Sequence, residues 1–171
     1  MARPATHRRH LVATLAWMLV VWSLALLVLP AVLRAVETRL GVPTWHLPGG
    51  RVAGVLLLVA ASAAGVRCAF AMARGEGTPV PFDAAARLVV TGPYRRVRNP
   101  MAVSGVSQAL GVALLLGSPA YYLVPPAGAL LWQVVIRPSE ERFLLARFGA
   151  EYADYRDRVP LWVPARLRWR R

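Results

Sequence analysis

Three groups of residues in this chain have the types and spacing to do chemistry. The first is Thr91-Gly92-Pro93-Tyr94-Arg95-Arg96-Val97-Arg98-Asn99-Pro100, a basic segment punctuated by glycine and proline. Pro100 suits the first position of a helix, where a missing N–H costs nothing. The free amides and positive dipole end of that helix would attract an anion. Arg98 and Asn99 stand beside this corner, so a carboxylate or phosphate would fit it. The second group is Arg137-Pro138-Ser139-Glu140-Glu141. Ser139 reads as a helix cap with Glu140 and Glu141 in the first turn, where the dipole favours acids by about 0.3–1 kcal/mol each. A carboxylate placed there could also hold hydroxyls or a cationic group. The third group is Tyr152, Tyr155, Arg156 and Arg158, followed by Val159-Pro160-Leu161-Trp162-Val163-Pro164. Tyrosine and tryptophan in such a basic tail read as interfacial anchors.

The elements that must position these groups are apolar. Residues 11–33 carry no charge. As a helix they would be roughly 35 Å long, enough to cross a hydrocarbon core of about 30 Å. Pro30 is expected to kink the far end of this span. Residues 52–73 form a second span that contains Arg67, whose side chain is expected to snorkel to the near interface. Residues 101–136 are again uncharged. Gly117-Ser118-Pro119 divides them, giving two short helices at about 101–116 and 119–136. Pro125 and Pro126 interrupt the second, so that helix is expected to be buried in the bundle, where its freed carbonyls find partners. Phe143, Leu144, Leu145 and Phe148 recur at helical spacing in the tail, and Gly149 ends that run.

The expected fold is therefore all-α. It is an integral membrane protein of four transmembrane helices, the third and fourth a short hairpin, with a cytoplasmic C-terminal helical tail. Residues 1–171 form a single membrane domain. Arginine counts orient it. The N-terminal segment, the 74–100 loop and the tail hold 3, 5 and 9 arginines, against 3 in the 34–51 loop. The arginine-rich face, with both termini, is cytoplasmic by the positive-inside rule. The hairpin then brings the segments 74–100 and 137–164 to one face of the bilayer.

Composition excludes several classes. Hydrophobic residues make up 57% of the 171 residues and charged residues 17%, so this is no ordinary soluble domain. The net charge of +13 could suggest nucleic acid, but the arginines flank apolar runs as in a membrane protein. Cys68 is the only cysteine, which rules out an intrachain disulfide and a multi-cysteine zinc site. His7, His10 and His46 are scattered, so no metal site and no serine or cysteine nucleophile with a histidine base is expected. The arginines before Pro100 can also be read as a basic membrane flank with no further role.

The order of motifs carries more. Gly92-Pro93-Tyr94-Arg95-Arg96-Val97-Arg98-Asn99-Pro100-Met101 precedes the hairpin. Glu140-Glu141 and Phe148-Gly149-Ala150-Glu151-Tyr152-Ala153-Asp154-Tyr155-Arg156-Asp157-Arg158-Val159-Pro160 follow it. This order, over about residues 75–164, resembles the isoprenylcysteine carboxyl methyltransferase and phospholipid methyltransferase superfamily. Its members are integral membrane enzymes that use S-adenosylmethionine. The resemblance implies that Tyr94, Arg98, Asn99 and Pro100 line the cofactor on one side. It implies that Glu140 and Glu141 close it on the other, with Tyr152 and Tyr155 nearby. A lipophilic acceptor would arrive from the bilayer. Arg98 would orient a carboxylate acceptor, or Glu141 would take the proton of an amine. Methyl transfer from a sulfonium needs little acid–base help, because alignment supplies much of the rate. Two positions depart from the family: Asn99 stands where histidine is common, and Ala102 where tyrosine is common.

Two other readings compete. Membrane reductases of sterols and isoprenoids share an arginine-x-proline turn and use a nicotinamide cofactor. A non-catalytic basic membrane protein would bind anionic lipid or a partner, and its lipid binding would weaken with salt.

Overall fold

The computed structural model describes residues 19–74 and 87–163. Expectations for the basic N-terminus, for the 75–86 part of the loop and for the final arginines lie outside the described residues. Among the described residues every regular element is helical.

The first helix, α1 (Leu19–Arg39), runs further than residue 33. Arg34, Ala35, Glu37 and Arg39 propagate a helix well, and Thr38 donates to Arg34 O at 2.8 Å in its last turn. Pro30 does not break it. A π turn, Leu24–Val28, comes just before and widens the helix where the ring would strike a carbonyl. The second helix, α2 (Gly50–Arg74), matches the expected span. Arg67 is exposed on it, consistent with a snorkelling side chain.

The third helix, α3 (Pro100–Leu116), begins at its proline as expected. It ends at Gly117, whose φ of 60° lies in the left-handed region that glycine tolerates. The chain then enters α4 (Val124–Leu131) through a 3₁₀ turn. Pro125 and Pro126 start this helix rather than interrupt it, because their missing amides fall in the first turn.

The expectation of a separate, capped tail helix is wrong. A second π turn, Trp132–Ile136, carries α4 directly into α5 (Arg137–Arg158). Pro138 thus repeats the solution seen at Pro30: a wide turn precedes the ring. The chain is already helical when it reaches Ser139, so there is no helix start to cap. Ser139 Oγ instead turns back to Val135 O at 3.3 Å. Gly149, at φ 52° and ψ −126°, kinks α5 where an end was expected, and the helix resumes to Arg158.

The fourth apolar stretch is not buried as expected. Leu130, Leu131, Val134 and Val135 are all more than half exposed. With both prolines at the helix start, few carbonyls need a protein partner, and an apolar face can meet lipid. The buried contact is instead between α2 and α3. Gly54 and Gly111 face each other so closely that a Cβ on Gly54 would lie 2.7 Å from Gly111 O. Ser104 Oγ donates to Ala61 O at 2.7 Å, and Gln108 Nε2 donates to Ser104 Oγ at 3.0 Å. Small residues and cross-helix hydrogen bonds are how helices associate where lipid removes the hydrophobic drive.

Two helices, Leu19–Arg39 and Gly50–Met72, are long and apolar enough to cross a membrane, and Pro100–Leu116 is apolar but shorter. Large apolar side chains on the outer faces of α1 and α2, among them Leu27, Leu56 and Phe70, are exposed. Contiguous apolar surface of this kind marks contact with lipid or protein.

Candidate active site

The loop before α3 is shaped by local chemistry. Gly92 takes φ 60°, which opens a 3₁₀ turn, Gly92–Arg95. The turn drives the Tyr94 ring into a cluster with Cys68 and Ala71 of α2. Arg95 and Arg96 then point outward, while Arg98 turns in. Asn99 caps α3: its Oδ1 accepts from Ala102 N at 3.0 Å. Pro100 is buried and fixes the helix start; it is not part of the cleft wall.

With its Oδ1 committed, the Asn99 amide must present Nδ2 elsewhere. It donates to Glu140 Oε2 at 3.2 Å. One residue to either side, the second bridge forms. Arg98 Nη1 donates to Glu141 Oε1 at 2.7 Å. Arg137 Nε, one helical turn before Glu141, donates to the same oxygen at 3.0 Å. The Arg98 Nε is buried with no hydrogen-bond partner. Tyr155 OH donates to Tyr94 O at 2.8 Å. The Tyr152 and Tyr155 rings lie 6.2 Å apart.

These groups surround a cleft that is partly open to solvent. One wall is polar: Arg98, Asn99, Arg137, Glu140 and Glu141. The others are apolar and aromatic apart from Arg87. Met72 and Val89 come from α2 and the loop, and Trp132, Leu144, Phe148 and Leu161 from the α4–α5 side.

Burial raises the Glu140 pKa above the ordinary carboxyl range, and the neighbouring Glu141 charge adds to this; the Asn99 hydrogen bond works against both. Burial also pushes the hydroxyl pKa values of Tyr94, Tyr152 and Tyr155 up, so all three rings stay neutral near pH 7. Glu141 differs from Glu140 in its partners: two guanidinium groups share one of its oxygens.

Of the residues singled out in the sequence, Tyr94, Arg98, Asn99, Glu140, Glu141, Tyr152 and Tyr155 all line one cleft, and Pro100 does not. Sequence reasoning missed Arg137 as a partner of Glu141, although their spacing of four on one helix was a usable signal. It also missed Trp132, and it did not foresee that Trp162 Nε1 donates to Gln133 Oε1 at 2.9 Å. Among the described residues, no three His, Cys, Asp or Glu side chains gather as metal ligands.

The chain is helical, with two helices long and apolar enough to cross a membrane and a half-polar cleft. Residues 50–151 match the model of the phospholipid methyltransferase family, and the chain belongs to that family. It is 35% identical over 79 residues to protein-S-isoprenylcysteine O-methyltransferase of Schizosaccharomyces pombe, a match covering 45% of this chain and 33% of that protein. It is 38% identical over 78 residues to cobalt-zinc-cadmium resistance protein CzcN of Cupriavidus metallidurans, covering 45% of this chain and 35% of that one. The matched stretch thus spans about a third of the length of each relative.

Proposed function

We propose that this protein transfers a methyl group from S-adenosylmethionine to a lipophilic acceptor at the membrane–cytosol interface. One observation carries the reading. The loop motif and the α5 motif, 43 residues apart at Arg98 and Glu141, are bonded across a single cleft that is charged on one side and apolar on the other. Family membership supports the chemistry.

The residues fit the cofactor. Its amino-acid carboxylate needs donors, and Arg98 has a buried Nε with no partner. Its ribose hydroxyls and cationic groups need a carboxylate, and Glu140 has one amide donor on one oxygen. S-adenosylmethionine supplies an activated methyl on a sulfonium. Arg98 binds and orients an anionic group. Glu141, held by Arg98 and Arg137, fixes the charged wall. Tyr94, Tyr152 and Tyr155 exclude water as neutral rings. An amine acceptor would lose its proton to Glu140, whose pKa burial raises, rather than to Glu141, whose Oε1 two guanidinium groups already hold.

The arrangement that goes with this reading has four crossings, with α3 and α4 a short hairpin in one membrane domain. Both termini and the cleft are cytoplasmic, as the arginine count favours.

The test is titration of the detergent-purified chain with S-adenosylhomocysteine, with NADPH in parallel. Saturable binding of the first, lost in Glu140→Ala and Arg98→Ala, is the expected result. Binding of NADPH alone would replace this reading with a membrane reductase. Binding of neither would leave a lipid-binding or partner-binding protein.

A further inference from the structure

Residues 159–163 follow α5 without regular structure, starting from an extended backbone at Val159 with φ −109° and ψ 122°. They cross one side of the cleft as a strap fixed at two points. Arg98 N donates to Pro160 O at 2.9 Å. Trp162 Nε1 donates to Gln133 Oε1, and the Trp162 ring meets the Trp132 ring edge-on, with centroids 5.1 Å apart and planes at 77°. The two anchors lie on opposite walls. Arg98 belongs to the loop before α3, and Gln133 to the π turn between α4 and α5. Leu161, between them, faces the cleft, as does Trp132.

The wall that holds Gln133 has an exposed apolar outer face. Val134 and Val135, its neighbours in the π turn, are exposed apolar side chains. Gln133 is the one amide in residues 124–136, and it is bonded to an indole rather than left to water. π turns of this kind are frequent at functional sites. Here the turn places Trp132 toward the cleft and its valines outward.

Resting on the methyl-transfer reading, we propose that Trp132 and Trp162 form the specificity-determining wall on the acceptor side of the cleft. The Trp162–Gln133 hydrogen bond is its latch. An acceptor's apolar part passes between the strap and the lipid-facing turn, and the latch limits the length of chain that can be accommodated. Gln133 is a positioning residue that acts through Trp162. Opening the wall breaks one hydrogen bond and one aromatic contact, so only a chain that recovers this inside the cleft is admitted.

The test uses the full chain in phosphatidylcholine nanodiscs, irradiated with diazirine-bearing octanol and hexadecanol. Labelling at the cleft residues Leu144 and Phe148 is compared with labelling at the exposed Leu130 and Val134. The wild-type cleft is expected to take octanol over hexadecanol. Gln133→Leu and Trp162→Phe each raise the hexadecanol ratio about fivefold, the size of one lost hydrogen bond. Gln133→Glu, which keeps an acceptor oxygen, restores the wild-type ratio. Unchanged ratios in both loss variants, a glutamate variant that behaves like the leucine one, or no cleft labelling at all would each overturn the proposal. S-adenosylhomocysteine titration on the same nanodiscs separates the two readings. Binding with unchanged ratios removes the wall and keeps methyl transfer. Shifted ratios without binding keep the wall as an apolar-chain selector and remove methyl transfer.

Discussion

At the Gly117 end of α3 a buried glutamate is enclosed, and at the Pro100 end another faces a cleft. Glu37 Oε1 accepts from Ser118 Oγ at 2.9 Å and Ala120 N at 2.7 Å, and its Oε2 accepts from Arg34 Nη1 at 2.8 Å. Only 4% of Glu37 is exposed. Two backbone amides close the same knot: Trp45 N donates to Gly117 O at 2.7 Å, and Tyr121 N donates to Ser118 Oγ at 3.1 Å. The Pro100 end uses the same kinds of group, carboxylate, guanidinium and hydroxyl. There Glu140 has one amide donor, and Arg98 keeps a buried Nε without a partner. A buried charge whose hydrogen bonds are all made holds a fold together; one with bonds left to make is set up to hold a ligand. Under the proposed function, the Gly117 end of α3 serves structure and the Pro100 end serves binding.

That assignment breaks most readily at Glu37. Glu37→Ala should lose about 3–5 kcal/mol of stability, because Arg34, Ser118 and the Ala120 amide lose their shared acceptor. Chemical denaturation in detergent reads this, and S-adenosylhomocysteine affinity of the folded fraction should stay within about twofold. Arg98→Ala should show the opposite pattern. Its affinity should fall about 100-fold, in line with about 2–5 kcal/mol for truncating one side of a buried charged contact. Its stability should fall less than that of Glu37→Ala, because Glu141 keeps Arg137. Arg98→Lys should recover only part of the affinity, since lysine lacks the Nε and the planar fork. A Glu37 variant that lost binding as Arg98→Ala does would end the division between the two ends.

What the sequence made legible follows the range of the interaction involved. Asn99-Pro100 could be read as the start of α3 because cap and proline act within one turn. Gly117 could be read as its end for the same reason. The meeting of Arg98 with Glu141 needed a longer argument, that an uncharged stretch must go out and return, and the motif order agreed with it. Ser139 misled because Pro138 and two glutamates imitate a helix start, while the preceding π turn, invisible in a one-dimensional pattern, lets the helix run through. The exposure of α4 was missed because its prolines were placed mid-helix, where they would have demanded burial. Glu37 was passed over as a loop acid: its helix extends six residues past the apolar run, and its partner Ser118 lies 81 residues away. Trp162 depended on Gln133, 29 residues earlier, on a turn whose geometry no periodicity reports.

The smallest expected effect sharpens the comparison most, because it separates fold from binding in one side chain. Asn99 serves both, capping α3 with Oδ1 and holding Glu140 with Nδ2. Burial raises the Glu140 pKa, so the native protein binds more protons than the unfolded chain between the ordinary carboxyl value and the raised one. Stability therefore falls as pH rises through that window. Affinity for S-adenosylhomocysteine, which draws on the ionised carboxylate, rises with pH across the same window. Asn99→Ala removes the donor that favours ionisation, so the midpoint of the affinity curve should move to higher pH, with about 1 kcal/mol of stability lost with the cap. Asn99→Ser keeps a cap oxygen but has no amide to offer Glu140. It should hold stability within about 0.5 kcal/mol of wild type and still shift the midpoint as far as alanine does. A serine variant with the wild-type midpoint would confine Asn99 to the cap and leave Glu140 tuned by burial and Glu141 alone.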